Sequence, residues 1–244
     1  MKLLTLDIET SPAIGYFWGL HKVYIQPEQV IEPTRMLCFA AKWVGERGIV
    51  YSSEFHSGQE QMLADLWALL DEADGVIHYN GTSFDLPHIN REFLLAGMGP
   101  PSPYAQIDLW RTVRSQFKFM SNKLDSVAQR LEIGSKAGHE GFDLWKRCLD
   151  GDEAAWGRMK RYNIQDVKLT EALYTELRPW IKSHPSHNLV SGEDHSCPTC
   201  GSTNLVKRGL QRTKVSAFQR YQCGECHSYS RSGKRWVGVD LRGV

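Results

Sequence analysis

The sequence predicts a mixed α/β domain followed by a small unit that a bound metal ion stabilises. Strand-like and helix-like segments alternate early in the chain, a long helix closes this part, and two Cys-x-x-Cys pairs lie near the C-terminus. With 244 residues, 41% of them hydrophobic, the chain can bury one sizeable core and still supply a small module. We therefore expect a main domain at 1–182, a linker at 183–196 and a cysteine unit with a basic tail at 197–244.

Short apolar runs predict the strands, and apolar residues at helical spacing predict the helices. The strands are expected at 2–8, 36–44, 48–52, 76–79 and 105–110. The helices are expected at 59–73, from Asp85 to just before Gly97, at 122–131 and at about 152–177. Periodicity does not give the order of the strands in the sheet.

The formal net charge of +1 conceals an uneven charge distribution. Residues 183–244 carry three Lys and six Arg against two Glu and two Asp, a formal charge of +5, which leaves −4 for the preceding part. A basic tail on an acidic body predicts a polyanionic partner, although a solvated charged surface would look the same. No apolar stretch is long enough to span a membrane, and no signal-peptide pattern is present, so a cytoplasmic location is expected.

Some function classes are excluded by missing motifs. The sequence contains no G-x-x-x-x-G-K-[ST] phosphate loop and no G-x-S-x-G nucleophile turn. These absences argue against an ATP-driven enzyme and against a serine hydrolase.

Acidic residues stand at three places where strands and helices can bring them together. Asp7 and Glu9 lie two apart at the exit of the first strand and share a face, while Tyr162 and Asp166 lie four apart on the last helix. Asp85 opens a helix after a strand. Each piece alone is typical of a solvated turn or a surface pair. Together they predict an oxygen-rich site for Mg²⁺ or Mn²⁺, which suits phosphodiester cleavage.

The order of these motifs resembles the DEDD superfamily of 3′→5′ exonucleases. D-I-E-T, N-G-T-S-F-D and Y-N-I-Q-D match its three motifs, and Tyr162 matches the subgroup with Y-x-x-x-D. The resemblance implies a ribonuclease H-like mixed sheet flanked by helices. It also implies that Asp7, Glu9, Asp85 and Asp166 hold two Mg²⁺ or Mn²⁺ ions and that Tyr162 orients or deprotonates the attacking water. Nucleoside 5′-monophosphates would be released from the 3′ end of DNA, single strands being preferred.

The similarity covers roughly residues 1–178. The stretches DIETSPAIGYFWGL, FAAKWVGE and KLDSVAQRLEIGSK are similar to exonucleases of tailed-phage genomes and to polymerase proofreading domains. A phage-encoded protein would work in the host-cell cytoplasm, and a replication or recombination protein is a further candidate partner. The second motif implies that Asn80 and Phe84 position the terminal nucleotide; a turn former and a core aromatic are equally good interpretations.

Two pairs of cysteines predict a tetrahedral zinc site. The C-x-x-C pairs are separated by 22 residues, the spacing of a four-cysteine zinc ribbon. The expected ligands are Cys197, Cys200, Cys223 and Cys226. Alternatives are two redox-active pairs, or a site in which His195 or His227 replaces one cysteine. Cys38 and Cys148 are interpreted as packed thiols without a ligand.

Basic residues alternate with aromatic residues around the cysteine pairs. The basic residues are Lys207, Arg208, Arg212, Lys214, Arg220, Arg231, Lys234 and Arg235, and the aromatic ones are Phe218, Tyr221, Tyr229 and Trp236. The pattern is similar to zinc ribbons of transposase accessory proteins, which implies contact with nucleic acid. Alternatively, the aromatics cover the metal and the ribbon docks on a protein surface.

Other features keep alternatives open. The aromatic run Tyr16 to Trp18 could line a substrate groove, but we expect it in the core, and Asp108 is interpreted as a helix cap. The rival functions are an RNA exonuclease and a non-catalytic nucleic-acid-binding protein that acts through its ribbon.

Overall fold

The computed structural model describes residues 1–242 except 20, 22, 139 and 140, and these residues form two compact units. Residues 2–173 form the N-terminal unit, and the residues from Tyr174 onward form the C-terminal unit. Among the described residues, no helix is both long enough and apolar enough to cross a membrane.

The N-terminal unit contains seven strands and seven α-helices in its described residues, the last helix continuing a few residues beyond it. The strands are β1 (Leu3–Thr10), β2 (Ile14–Gly15), β3 (Val30–Glu32), β4 (Met36–Trp43), β5 (Val50–Ser53), β6 (Gly75–His78) and β7 (Ala105–Asp108). The helices are α1 (Glu54–Ser57), α2 (Gln59–Glu72), α3 (Asp85–Leu95), α4 (Leu109–Gln116), α5 (Leu124–Arg130), α6 (Phe142–Leu149) and α7 (Glu153–Leu177).

Five strands form one mixed sheet in the order β5-β4-β1-β6-β7. β1 pairs antiparallel with β4, which pairs antiparallel with β5, whereas β6 runs parallel to both β1 and β7. β1 is therefore the central strand. Its carboxyl end lies at the same sheet edge as the carboxyl ends of β6 and β7, where ligands bind in open α/β sheets.

The two faces of β1 have different partners. Leu4, Leu6 and Ile8 belong to a buried cluster with side chains of α2 and α3. Thr5, Asp7 and Glu9 point to the opposite face because successive side chains of a strand alternate. On that side, Asn163 of α7 donates a hydrogen bond to Asp7. The predicted mixed α/β class with helices flanking the sheet is confirmed.

A second buried cluster joins β4 to α6 and α7. It contains Leu37 and Cys38 of β4, Leu144 and Cys148 of α6, and Trp156 of α7. The Trp156 Nε1 donates to the backbone oxygen of Cys148 at 2.9 Å, which satisfies the one polar atom of the ring inside the core. This packing fixes α7 on the face of the sheet that carries the acidic residues.

The C-terminal unit contains a three-stranded antiparallel sheet and one short α-helix of its own in its described residues. The helix is α8 (Asn188–Ser191), and the strands are β8 (Leu205–Arg212), β9 (Ser216–Cys223) and β10 (Tyr229–Gly238), in the order β10-β9-β8. The four cysteines of the two Cys-x-x-Cys pairs form its buried cluster together with Leu205.

The aromatic run 16–18 is not in the core, contrary to our expectation. Tyr16, Phe17 and Trp18 are 74%, 52% and 102% exposed. They follow β2, whose only partner among the described strands is the short strand β3. Among the described residues this ribbon has no third strand, so a cluster of aromatic residues alone did not indicate a core position.

Candidate active site and cysteine centre

The acidic residues of β1 and α7 converge at the carboxyl end of β1. Asp7, Glu9 and Asp166 each offer an oxygen, and the three oxygens lie within 4.8 Å of one another. Asp7 and Glu9 come from one strand face, and Asp166 is buried on α7. This spacing is compatible with a shared metal ion.

Asn163 ties the helix to the strand. Its Nδ2 donates to the backbone oxygen of Asp7 at 3.2 Å and to the Asp7 Oδ2 at 2.7 Å, while its Oδ1 faces the Cys38 Sγ at 3.9 Å. Asn163 is fully buried. It could not be identified from the sequence, because an amide next to Tyr162 on a helix has no distinctive spacing.

Asp85 reaches the site from the start of α3. Its Oδ1 accepts a hydrogen bond from the backbone N–H of Ile8 at 3.2 Å, between the two acidic residues of β1. A carboxylate in the first turn of a helix is also stabilised by the helix dipole. Asp85 is buried and close enough to Asp7 to raise the pKa of the Asp7 carboxyl.

The turn between β6 and α3 sets the position of Asp85. Asn80 has a left-handed backbone (φ 67°), and its N–H donates to the Asp108 Oδ1 at 3.1 Å. At Gly81 a side chain is excluded, since a Cβ would lie 2.5 Å from the His78 ring, to which the Gly81 N–H donates. The N-G pair of the second motif is thus required by the local geometry.

Burial and mutual repulsion raise the carboxyl pKa values. Burial, followed by the charges of Asp85 and Glu9, raises the pKa of Asp7 well above its usual range. Burial and the Asp166 charge raise the pKa of Glu9 to about 8. Burial also raises the pKa of Asp85 to about 7, although the hydrogen bond from the Ile8 N–H lowers it. The protein alone does not balance this negative charge, so the site favours a cation.

Lys136 is a further residue of the site. Its Nζ donates to the Asp166 Oδ2 at 2.5 Å and to the Tyr162 Oη at 3.1 Å, and its backbone N–H donates to the Asp125 Oδ1 at 2.7 Å. Burial opposes the charged ammonium, but Asp166 outweighs it and raises the Lys136 pKa. A lone lysine after a Gly-Ser turn has no motif that could have identified it.

The donor set fits hard divalent cations. Asp166 Oδ1 is buried and accepts no hydrogen bond from any residue that the structure describes. An orphaned carboxylate oxygen beside Asp7 and Glu9 is an available ligand, and carboxylate oxygens are the ligands that Mg²⁺ and Mn²⁺ prefer. Asp7, Glu9 and Asp166 could therefore hold a cation, with Asp85 beside them.

A groove of about 670 Å³ opens beside the acidic residues. Its lining includes Asp7, Asn80, Trp110, Lys123 and Lys136. The combination of an aromatic ring, an amide and two ammonium groups is suited to a nucleotide. Trp110 and Lys123 were not identified from the sequence, because α4 was not predicted and Trp110 was placed at a strand end.

Phe84, the other residue predicted to contact substrate, lies immediately before α3. It is 42% exposed, and its ring contacts His88 edge-on with centroids 4.8 Å apart. It is therefore not a core aromatic. Its contact with a nucleotide stays a prediction.

The four cysteines of the C-terminal unit face one another. Their sulfur atoms lie within 4.8 Å of one another, with Sγ–Sγ distances of 3.5 Å for Cys197 and Cys226 and 3.6 Å for Cys200 and Cys223. These distances are too long for disulfides but match the roughly 3.8 Å edge of a tetrahedron with metal–sulfur bonds of about 2.3 Å. The cluster fits a zinc ribbon.

Burial raises the pKa of Cys197 and of Cys200, whereas hydrogen bonds favour the thiolate form of Cys226. Burial opposes ionisation of Cys226, but hydrogen bonds with Ser228 lower its pKa to about 7. His195 and His227, the alternative ligands, are both exposed and lie outside the group of four sulfurs. His195 instead contacts the Tyr221 ring edge-on, with centroids 5.4 Å apart.

A mixed sheet with carboxylates at the end of its central strand and on its last helix defines an RNase H-like nuclease class. Residues 32–178 match the model of the RNase H superfamily, and the chain belongs to this superfamily. The match includes Asp85, Tyr162 and Asp166, whereas Asp7 and Glu9 precede it.

Two archaeal polymerases are similar to part of the chain. DNA polymerase 1 of Aeropyrum pernix is 29% identical over 137 residues, which are 50% of this chain and 14% of the polymerase. The solved family B DNA polymerase of Pyrobaculum calidifontis matches with a TM-score of 0.55 and 18% identity, over 73% of this chain and 24% of the polymerase. The solved structure supports the fold, and the chain spans only a small part of either polymerase.

Proposed function

We propose that the chain is a metal-dependent 3′→5′ exonuclease that shortens DNA, prefers single strands and releases nucleoside 5′-monophosphates. The observation that carries this proposal is the convergence of Asp7, Glu9 and Asp166 beside a groove of nucleotide size that Asp7 helps to line. Similarity to part of a DNA polymerase favours DNA over RNA as the substrate.

Asp7, Glu9, Asp85 and Asp166 would hold two divalent ions, Mg²⁺ or Mn²⁺. When bound, such ions lower the pKa of a bound water and neutralise charge that develops on the leaving oxygen. The protein contributes the geometry: hydrogen bonds from Asn163 and from the Ile8 N–H fix two of the four carboxylates before any substrate arrives.

Tyr162 would orient the attacking water through its hydroxyl. Burial, followed by the Asp166 charge, raises the pKa of the Tyr162 phenol to about 12, which favours a hydroxyl that can form hydrogen bonds. The phenol accepts a hydrogen bond from Lys136, and this contact fixes its oxygen next to Asp166. The Lys136 ammonium would also lie where it can offset negative charge on a bound phosphate.

The groove would hold the terminal nucleotide. Trp110 offers a ring face for a base, Asn80 offers an amide, and Lys123 and Lys136 offer positive charge for phosphate. Trp110 is itself supported by Arg114, whose guanidinium lies 5.1 Å from the ring centroid. Aromatic rings and few base-specific donors in the lining are suited to bases of any kind.

For the organisation of the whole chain we propose a nuclease domain at 1–182, a linker at 183–196 and a zinc ribbon at 197–244. The four cysteines of the ribbon would bind one structural Zn²⁺. The cysteine geometry supports the metal site. Segment 183–196 contains α8 and the hydrogen bonds between Asn188 and Ser196, so part of it is ordered.

The direct test follows a 5′-labelled single strand incubated with the purified, zinc-loaded protein. With added Mg²⁺ or Mn²⁺ we expect a ladder of products that shorten from the 3′ end, and no shortening without these ions. Asp7→Asn should reduce the rate by at least about a thousandfold, because the carboxylate lies at the centre of the cluster. Glu60→Gln is the matched control, since Glu60 is an exposed carboxylate on α2.

Each alternative predicts a different result. Internal cuts, release of the 5′ label as a mononucleotide, or an unchanged rate in Asp7→Asn would refute the proposal. A non-catalytic binding protein would retain the labelled strand at full length. Parallel digestion of DNA and RNA strands of one sequence would identify an RNA exonuclease by faster shortening of the RNA.

A further inference from the structure

One face of the sheet in the C-terminal unit carries arginines and aromatic rings. In β9, Phe218, Arg220 and Gln222 lie two apart and therefore point to the same face. In the neighbouring β10, Arg231 is directly opposite Arg220, and Arg235 is directly opposite Phe218. We call this surface the arginine face; its members are Arg208, Phe218, Arg220, Gln222, Tyr229, Arg231 and Arg235.

The guanidinium groups of this face are held by its own side chains. Arg231 lies over the Phe218 ring, 4.0 Å from the centroid, and Arg220 lies 5.6 Å from the Tyr229 centroid. The Arg220 Nε donates to the backbone oxygen of Arg208. Stacking and hydrogen bonding reduce the side-chain entropy that a bound ligand would otherwise have to restrict.

The positive charge of the face is not balanced within the unit. Like charges directly opposite each other destabilise a sheet, yet Arg220 and Arg231 occupy one such pair. Among the described residues of the C-terminal unit, none of the face's four arginines is in an ion pair with a carboxylate. An anionic partner would relieve this repulsion.

We infer that the arginine face binds single-stranded nucleic acid, with its guanidinium groups on the phosphates and the exposed Tyr229 ring against an unpaired base. Arginine forks match phosphate oxygens, and Tyr229, which is 59% exposed, offers a surface on which a base can stack. An acidic protein would use the charge but would not need the rings. This inference rests on the proposed function in one respect: both take nucleic acid as the polyanion that the protein binds.

The opposite face of the same sheet supplies a matched control. Lys207 is directly opposite Tyr221, and Arg212 is directly opposite Ala217, so both belong to the other side of β9. Both residues are exposed. Lys207→Gln with Arg212→Gln removes the same charge from the same sheet as Arg220→Gln with Arg231→Gln. The two double variants therefore separate the effect of position from that of net charge.

The experiment measures fluorescence anisotropy of a labelled oligonucleotide of about 30 nucleotides, a length that exceeds one small binding site. The full chain is used in the Asp7→Ala background, zinc-loaded and without added Mg²⁺ or Mn²⁺, so that the strand is not degraded. We expect Arg220→Gln with Arg231→Gln to weaken binding at least about tenfold and to reduce the slope of log K against log salt by about 1.4. The control double variant should change binding less than threefold.

Tyr229→Ser tests the aromatic part of the inference. It should weaken binding of the single strand more than binding of a duplex, because paired bases are not available for stacking. Zinc content and circular dichroism of each variant establish that the unit remains folded.

Equal losses in the two double variants, or no loss in the arginine-face variant, would overturn the inference. Binding of acidic proteins without binding of oligonucleotide would overturn it as well. These outcomes are independent of hydrolysis: strand shortening by the unmutated protein tests the nuclease proposal, and anisotropy in the inactive background tests the face.

Discussion

Replacement of Asp108 by Ala should destabilise the N-terminal unit and disturb the substrate groove together. Asp108 ends β7 and caps α4, and its Oδ1 accepts from the N–H groups of Trp110 and Arg111 at 3.1 and 3.4 Å. The same oxygen accepts from the Asn80 N–H at 3.1 Å, across the turn that leads to α3. One carboxylate oxygen thus supports two elements of the site.

The magnitude follows from the contacts that are lost. Loss of an N-cap costs about 1–2 kcal/mol. An unsatisfied N–H at the partly buried Asn80 adds about 1–3 kcal/mol. The two costs are not fully additive, because one oxygen makes both contacts and the chain around it can relax. We therefore expect Asp108→Ala to lower the free energy of unfolding by about 2–4 kcal/mol. Asp108→Asn keeps an acceptor oxygen in place and should cost about 1 kcal/mol.

The assay is urea unfolding of both variants and the unmutated protein, followed by far-UV circular dichroism, with KM for a single strand measured in parallel. We expect a raised KM in Asp108→Ala, because Asn80 lines the groove. If Asp108→Ala costs no more than Asp108→Asn, the acceptor oxygen of residue 108 does not support the two elements.

Three further predictions concern other groups. Tyr162→Phe should lower kcat by roughly tenfold to a hundredfold with little change in KM, because it removes an oriented hydroxyl and leaves the carboxylates in place; steady-state rates check this. Cys223→Ser should abolish binding of the structural metal and expose the amides of 205–238 to rapid hydrogen exchange, while exchange in β1 stays slow. Burial lowers the pKa of His78 to about 4, whereas an unfolded histidine titrates near pH 6.5. The unfolded state therefore binds the proton first, and stability should fall by up to about 3 kcal/mol as the pH drops from 6.5 to 4. His78→Gln should lack this component, so subtraction of its urea-derived stability curve isolates the effect.

The acidic motifs could be predicted because each depends on one element with a fixed side-chain period. Asp7 and Glu9 share a face in any regular strand, and Tyr162 and Asp166 share a face in any regular helix. Lys136 could not be predicted in this way. Its contacts with Tyr162 and Asp166 depend on how the chain continues after α5, which no local pattern specifies.

The arginine face of the C-terminal unit could not be predicted from local sequence patterns either. Basic and aromatic residues were evident from the sequence, but the side of the sheet that each occupies depends on strand register. Irregularities between Lys207 and Leu210 and between Arg231 and Arg235 shift that register. Counting residues in pairs across these bulges would assign some side chains to the wrong side.

The strict alternation along β1 makes the site intolerant of length changes within that strand. Its apolar side chains Leu6 and Ile8 face α2 and α3, while Asp7 and Glu9 alternate with them on the other side. Deletion of one residue between Leu3 and Leu6 would exchange the two sets, so that carboxylates would enter the apolar cluster. Insertions between β2 and β3 leave this register intact. Natural variants of the chain should therefore differ in length around residues 16–29 and keep the spacing of β1 unchanged.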